Sequence, residues 1–182
     1  MKKLYVVPLA AAALVLAACS SEKPGNASPA PSAPPAQTGG SSSAPATGAG
    51  DTKSIDPCSL LGVADLTSYG TFKPPTTANE GGARSCQFDK AATSAADAVS
   101  LGVDIRDTQN VDSVGDAGNG KTTGNVNGRK AVLAPKPGGC LMALELGPSA
   151  RVDVLVAAAE TKQACEIAEK IADIVEPKLP KS

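Results

Sequence analysis

Cys140-Leu141-Met142-Ala143-Leu144-Glu145-Leu146-Gly147-Pro148-Ser149-Ala150-Arg151-Val152-Asp153-Val154-Leu155-Val156 is the stretch that decides the fold. Cys140, Met142, Leu144 and Leu146 alternate against Leu141, Ala143 and Glu145. After the Gly147-Pro148 turn, Val152, Val154 and Val156 alternate against Arg151, Asp153 and Leu155. A period of two puts successive side chains on opposite faces of a strand, so each run has one face to bury. A short Gly-Pro connection sets the two runs antiparallel.

The same reading extends upstream. Residues 99 to 106 alternate Val99, Leu101, Val103 and Ile105 with Ser100, Gly102, Asp104 and Arg106, predicting another half-buried strand. Asn127-Gly128 marks a hairpin turn from which Arg129 to Ala134 leave as a strand, and Pro135 to Gly139 turn again. Ser85-Cys86-Gln87-Phe88 reads as a short strand after a Pro/Gly/Thr stretch over 70 to 83.

Two helical segments bracket these strands. Asp56 caps a helix with Pro57 at its first position, and Gly62 divides Leu60, Leu61, Ala64 and Leu66 into two short turns. From about Lys162 to Val175, Ala164, Ile167, Ala168, Ile171, Ala172 and Val175 form an apolar stripe, while Glu166, Glu169, Lys170 and Asp173 face water. Thr161 is the expected cap, Glu166 is spaced to pair with Lys170, and Pro177 ends the helix. The expected fold is α+β: an antiparallel sheet of about four to five strands, packed by the N- and C-terminal helices and carrying two disulfides.

Residues 1 to 18 read as a signal peptide. Lys2 and Lys3 precede an apolar run of about 13 residues, where a bilayer-crossing helix needs about 20. Leu16-Ala17-Ala18-Cys19 is a lipobox, which predicts cleavage before Cys19 and acylation of its thiol and new amine. Two or three acyl chains hold a protein on a membrane where one is marginal. The predicted location is therefore the outer face of the cytoplasmic membrane.

Residues 19 to 54 comprise this cysteine and a tether of Ser, Pro, Ala, Gly and Thr that lacks the apolar surface to offset ordering entropy. About 35 such residues hold their ends roughly 30 to 35 Å apart as a coil and reach about 110 Å as polyproline II. A Pro-rich ligand for a groove-binding domain is the weaker reading of this segment, and its Ser and Thr residues suit glycosylation. Residues 55 to 182 have the length of a single globular domain.

Composition excludes several classes of function. Without Lys2 and Lys3, the 17 basic residues fall to 15 against 18 acidic, which does not make a nucleic-acid surface. The chain has no histidine, so Ser-His and Cys-His nucleophile pairs cannot form and the commonest metal ligand is missing. Beyond the leader the aromatics are Tyr69, Phe72 and Phe88 alone, too few for a stacking platform. No cofactor and no metal is expected.

With Cys19 acylated, Cys58, Cys86, Cys140 and Cys165 remain, an even number in an exported domain. Three pairings exist. The sequential one, 58 with 86 and 140 with 165, is preferred because it ties each helix to a strand. Each closed loop is worth about 3 kcal/mol in the chain-entropy model. Zinc is the competitor, but no two of the four have finger-like spacing.

Three patterns suggest chemistry. Gly115-Asp116-Ala117-Gly118-Asn119-Gly120-Lys121-Thr122 satisfies the phosphate-loop pattern, yet the following residues to Gly128 read as turn and strand where such a loop needs a helix. Ser20-Ser21-Glu22-Lys23 has S-x-x-K spacing but lies in the tether. Asp104, Glu145 and Asp153 sit on the polar faces of predicted strands, where they could approach one another across the sheet as glycosidase pairs do. Arg106, Arg129, Lys130 and Arg151 are interleaved with them, which suits a solvated face with cross-strand ion pairs.

Asp56-Pro57-Cys58-Ser59-Leu60-Leu61, Ser85-Cys86-Gln87-Phe88, Gly128-Arg129-Lys130-Ala131, Cys140 and Cys165-Glu166-Ile167-Ala168 give the chain from about 55 to 180 a resemblance. It resembles a family of secreted actinobacterial lipoproteins catalogued as a domain of unknown function. Phe88 stands where many members have tryptophan. The resemblance implies a lipid-anchored envelope protein and no known reaction.

The functional expectation is a non-catalytic module that binds an envelope protein or a lipid ligand, of undetermined oligomeric state. One alternative is a carrier holding an apolar lipid in a cavity lined by Val99, Leu101, Val103, Met142, Leu144 and Val154. The less favoured alternative is a hydrolase using carboxylates alone.

Overall fold

The structure is a computed structural model and describes residues 52–181. Seven strands form one antiparallel sheet: β1 (Thr76–Glu80), β2 (Ala83–Asp89), β3 (Ser100–Arg106), β4 (Thr122–Val126), β5 (Arg129–Lys136), β6 (Gly139–Glu145) and β7 (Arg151–Ala157). Their order across the sheet is β1-β2-β3-β7-β6-β5-β4. Two meanders, β1 to β3 and β4 to β7, thus meet where β3 pairs with β7.

The sheet has seven strands rather than four to five, and the two additions are its edges. β1 reads Thr-Thr-Ala-Asn-Glu and β4 Thr-Thr-Gly-Asn-Val, and between them only Val126 is buried. A strand without an apolar face leaves no period-two signal, and neighbour pairing alone holds it. The five inner strands alternate as expected, with Leu101, Val103 and Ile105 of β3 buried beside Val156, Val154 and Val152 of β7.

One face carries the helices. Asp56 caps α1 (Pro57–Leu60), its Oδ1 accepting from the Cys58 amide at 3.0 Å, and α1 lies on β2 and β3. A 3-10 segment follows over Val63–Tyr69, and Gly62 between them donates its amide to Asp65 Oδ2 at 2.9 Å. That amide, more than the weaker attraction of Lys178, holds the Asp65 carboxyl below its ordinary pKa. α2 (Thr161–Val175) covers β6 and β7 and reaches β5, with all six stripe residues buried. Thr161 is the first residue of α2 and not its cap. Its hydroxyl accepts from the Gly138 amide at 3.1 Å and donates to the Lys136 carbonyl at 3.0 Å, tying the helix start to the β5–β6 turn. Glu166 pairs with Lys162 at 3.3 Å, where Lys170 was expected.

Both disulfides are the sequential ones. Cys58–Cys86 joins α1 to β2 across 5.1 Å between Cα atoms, and Cys140–Cys165 joins β6 to α2 across 5.0 Å. They close separations of 28 and 25 residues. Replacing either pair by serines should lower unfolding free energy by about 3 to 4 kcal/mol, read as a lower urea midpoint, with the slope rising as the unlinked unfolded chain exposes more surface. An unchanged midpoint for both variants would show that the cross-links do not stabilise the domain.

Candidate functional site

The face of the sheet opposite the helices is divided by the strap of residues 107–121 that links β3 to β4. Its Val111 and Val114 are buried on Val132, Ala134 and Ala143, a second small apolar cluster over β5 and β6. Asn110 caps the 3-10 turn Val111–Ser113 by accepting from the Ser113 amide at 3.1 Å, and Lys130 Nζ holds Asp112 at 2.6 Å. The Asp112 hydrogen bond raises the Lys130 pKa.

Under the strap lies an ion cluster. Asp153 on β7 is 1 % exposed and accepts from Arg151 Nε at 2.7 Å and from Arg106 Nε at 2.6 Å. Arg151 then reaches the strap, donating to the Asn110 carbonyl at 2.9 Å and to Ser113 Oγ at 2.7 Å. Arg106 donates to the Gly81 carbonyl at 2.9 Å. Cross-strand ion pairs are therefore present as expected, but this part of the face is buried and not solvated, because the strap crosses it. A buried carboxylate persists only when paired and hydrogen-bonded, and Asp153 is both.

The register sets Asp104 on β3 beside Asp153 on β7, and Glu145 on β6 beside Arg151. Of the three carboxylates, Asp153 is committed to two guanidinium groups. Asp104 is treated differently. Burial pushes its pKa up, opposed by the Ser85 hydroxyl and by Arg106, whose nearest nitrogen is 4.0 Å away.

Asp104 borders the part of this face that the strap leaves open. A depression of about 280 Å³ runs over β2, β3 and β7, lined by Gln87, Asp89, Ser100, Gly102, Asp104 and Leu155, with Lys136 closing one side. The register explains its shape: Gln87, Gly102 and Leu155 lie in one row, and Asp89, Ser100 and Ala157 in the next. Small residues at the centre make a channel between larger ones. A Cβ at Gly102 would stand 3.4 Å from Asp104 Oδ1 and 3.8 Å from Leu155 Cβ. Only Asp104 of this set was singled out from sequence, since Gly102 and Lys136 carry no motif.

The remaining patterns fall as follows. In the phosphate-loop stretch, Thr122 opens strand β4 and no helix follows. Lys121 Nζ donates to the Val114 carbonyl at 2.7 Å, and Asp116 Oδ1 accepts from the Gly118 amide at 2.8 Å, so the loop closes on itself. Arg129 is buried and donates to Glu176, at 3.0 Å, and to the carbonyls of Glu145 and Pro180, anchoring the chain end. Val99, Leu101, Val103, Met142, Leu144 and Val154 are all buried in the main core. The signal peptide, Cys19, the Ser20–Lys23 pattern and the tether as far as residue 51 lie outside the described residues.

Among the described residues, no helix is long and apolar enough to cross a membrane, and no group of three or more His, Cys, Asp or Glu is placed to hold a metal ion. Fold and cross-links define a disulfide-stapled α+β domain with an antiparallel sheet, helical on one face and partly strapped on the other. A family model described as "Protein of unknown function (DUF3558)" matches residues 14–178, and the chain belongs to that family. The chain matches no curated protein and no solved structure.

The two neighbouring carboxylates should respond oppositely to neutralisation. Asp153→Ala leaves Arg106 and Arg151 without their shared anion and should cost about 3 to 5 kcal/mol in urea unfolding. For Asp104 the folded pKa is raised, so its favourable contribution is complete below the ordinary aspartate pKa and is lost as pH rises through the raised value. Asp104→Asn should therefore be more stable than the parent at pH 7, with the difference vanishing near pH 3, about where aspartate is protonated in both states. Paired urea titrations at several pH values test this, and a destabilised Asp104→Asn at pH 7 would contradict it.

Proposed function

We propose that this chain is a lipid-anchored protein of the cell envelope, held by acyl chains on Cys19 at the outer face of the cytoplasmic membrane. Its domain binds an envelope protein or ligand and catalyses no reaction. The carrying observation is the open depression on β2, β3 and β7: it is the part of the strap-side sheet face where Asp104, Gln87 and Ser100 meet an apolar wall at Leu155. A concave surface with a few convergent polar groups is the ordinary form of a binding site.

Two disulfides support an oxidising compartment, in agreement with the lipobox. A catalytic carboxylate pair would need a second free group beside Asp104: Asp153 is occupied by two arginines, and Asp89, the other carboxylate of the depression, lies four residues along the strands, about 13 Å away by strand rise, which favours binding over hydrolysis. The lipid-carrier reading draws less support, because its six lining residues pack into the core beneath α1 and α2.

Two measurements test the proposal. Mass analysis of the protein from membranes should show a diacylated or triacylated Cys19, and Cys19→Ser should move it out of the membrane fraction. Photo-cross-linking in the native membrane, with proteins and lipids both identified, should enrich a specific partner, and Gly102→Leu should lower that recovery at least tenfold by filling the channel. An unmodified Cys19, or a partner recovered equally by the Gly102 variant, would refute the anchoring or the site, respectively.

A further inference from the structure

The two edges of the sheet are not equally defended. A sheet edge presents unpaired amide and carbonyl groups, and proteins that stay monomeric blunt it with proline, charge or covering chain. β1 has two of these: Pro74-Pro75 lead into it and Glu80 ends it, and residues 53–57 lie across a depression from Thr77, Ala78 and Asn79. β4 has none. It holds no charge and no proline, its residues 122–125 are exposed, and among the described residues it pairs only with β5. Of the neighbouring cations, Lys121 is turned back onto the Val114 carbonyl, Lys130, opposite Asn125, is held by Asp112, and Arg129, opposite Val126, is held by Glu176.

We propose that β4 is the edge through which two copies of this chain pair, antiparallel and centred on Gly124, to join their sheets. The two-fold register places Thr122 of each copy opposite Val126 of the other, Thr123 opposite Asn125, and Gly124 opposite Gly124. No charge meets a like charge in it, and β-branched Thr and Val fall at the paired positions that stabilise sheets. Gly124 shares a row with Ala131, and these small residues open a depression of about 180 Å³ lined by Leu133 and Met142 and, from α2, by Glu169. In the paired arrangement Thr122 and Val126 of the second copy lie alongside this apolar strip and shield it. Five residues span about 17 Å, and the contact is smaller than a standard stable interface. The pairing is therefore a weak, concentration-dependent one, and it does not depend on whether Cys19 is acylated.

A full-chain Gly124→Cys variant tests it by catalysed oxidation in cells followed by non-reducing electrophoresis. A Cβ at Gly124 meets nothing within 4 Å, so the substitution fits the strand. The dimer band should exceed at least tenfold that of Asn79→Cys, which places an exposed thiol on the other edge. Adding Asn125→Asp, which sets a charge in the strand that its own neighbour Lys130 tolerates, should reduce the band at least fivefold. Folding is checked on each variant by protection of the four native cysteines from alkylation. Equal bands at 79 and 124, no band at 124 in folded protein, or an adduct with a different protein in place of the dimer would each overturn the proposal.

Discussion

The pairing of β3 with β7 is the constraint on which the rest of the structure depends. Seven residues of each strand stand in register, from Ser100 with Ala157 to Arg106 with Arg151, and these strands lie about fifty residues apart in the chain. β1 to β3 form one local meander, and β4 to β7 another. Each half carries its own helix, α1 on β2 and β3 and α2 on β6 and β7, but their cores become one only across this seam. Once β3 meets β7, Val103 and Val154 become the middle of a continuous floor on which both α1 and α2 rest. The same register brings Asp153 between Arg106 and Arg151 on the other face, where the arginines pin the strap. One alignment thus fixes the core and the open depression together, and a two-residue slip would separate both.

Much of this was legible from side-chain period alone. The inner strands each bury an apolar face against the helices, so Leu101, Val103 and Ile105, or Val152, Val154 and Val156, declare themselves, while β5, β6 and β7 are also buried on the strap side. The stripe of α2 is buried residue for residue. β1 stayed hidden, and β4 showed only through the Asn127-Gly128 hairpin turn and the turn-and-strand reading ahead of it, because backbone pairing, which has no side-chain pattern, is nearly all that holds these two strands. Cap chemistry was ambiguous for a related reason: Thr161 has the right side chain for a helix cap, but its hydroxyl serves the β5–β6 turn that only the folded chain brings near.

The functional face was less legible than the fold. Asp104, Asp153, Arg106 and Arg151 were visible as alternating charges, and their pairing followed from the strands. Their burial did not, since it is imposed by a strap whose path over the sheet depends on Val111 and Val114 finding a small cluster around Val132, Ala134 and Ala143. The depression beside the cluster depends on small residues in adjacent strands, Gly102 and Ala157 among them. Absence of a side chain becomes a signal only when neighbours across the register are known.

The cross-links have a physical logic tied to the same architecture. Among the described residues, Phe72 and Phe88 are the only buried aromatics, and the remaining interior is aliphatic, with alanine contributing several of the contacts beneath α2. Small side chains bury less apolar surface per residue, so a helix resting on Ala164, Ala168 and Ala172 gains less from packing than one resting on leucines. Cys58–Cys86 and Cys140–Cys165 act at this weakness, one fastening α1 to the first meander and the other α2 to the second. Neither disulfide spans the β3–β7 seam, which is left to hydrogen bonds, valines and the Asp153 cluster. The covalent links therefore secure the helical layer onto each half, while the joining of the halves rests on non-covalent pairing. Loss of that pairing would separate two stapled halves, with each helix still fixed to its own strands.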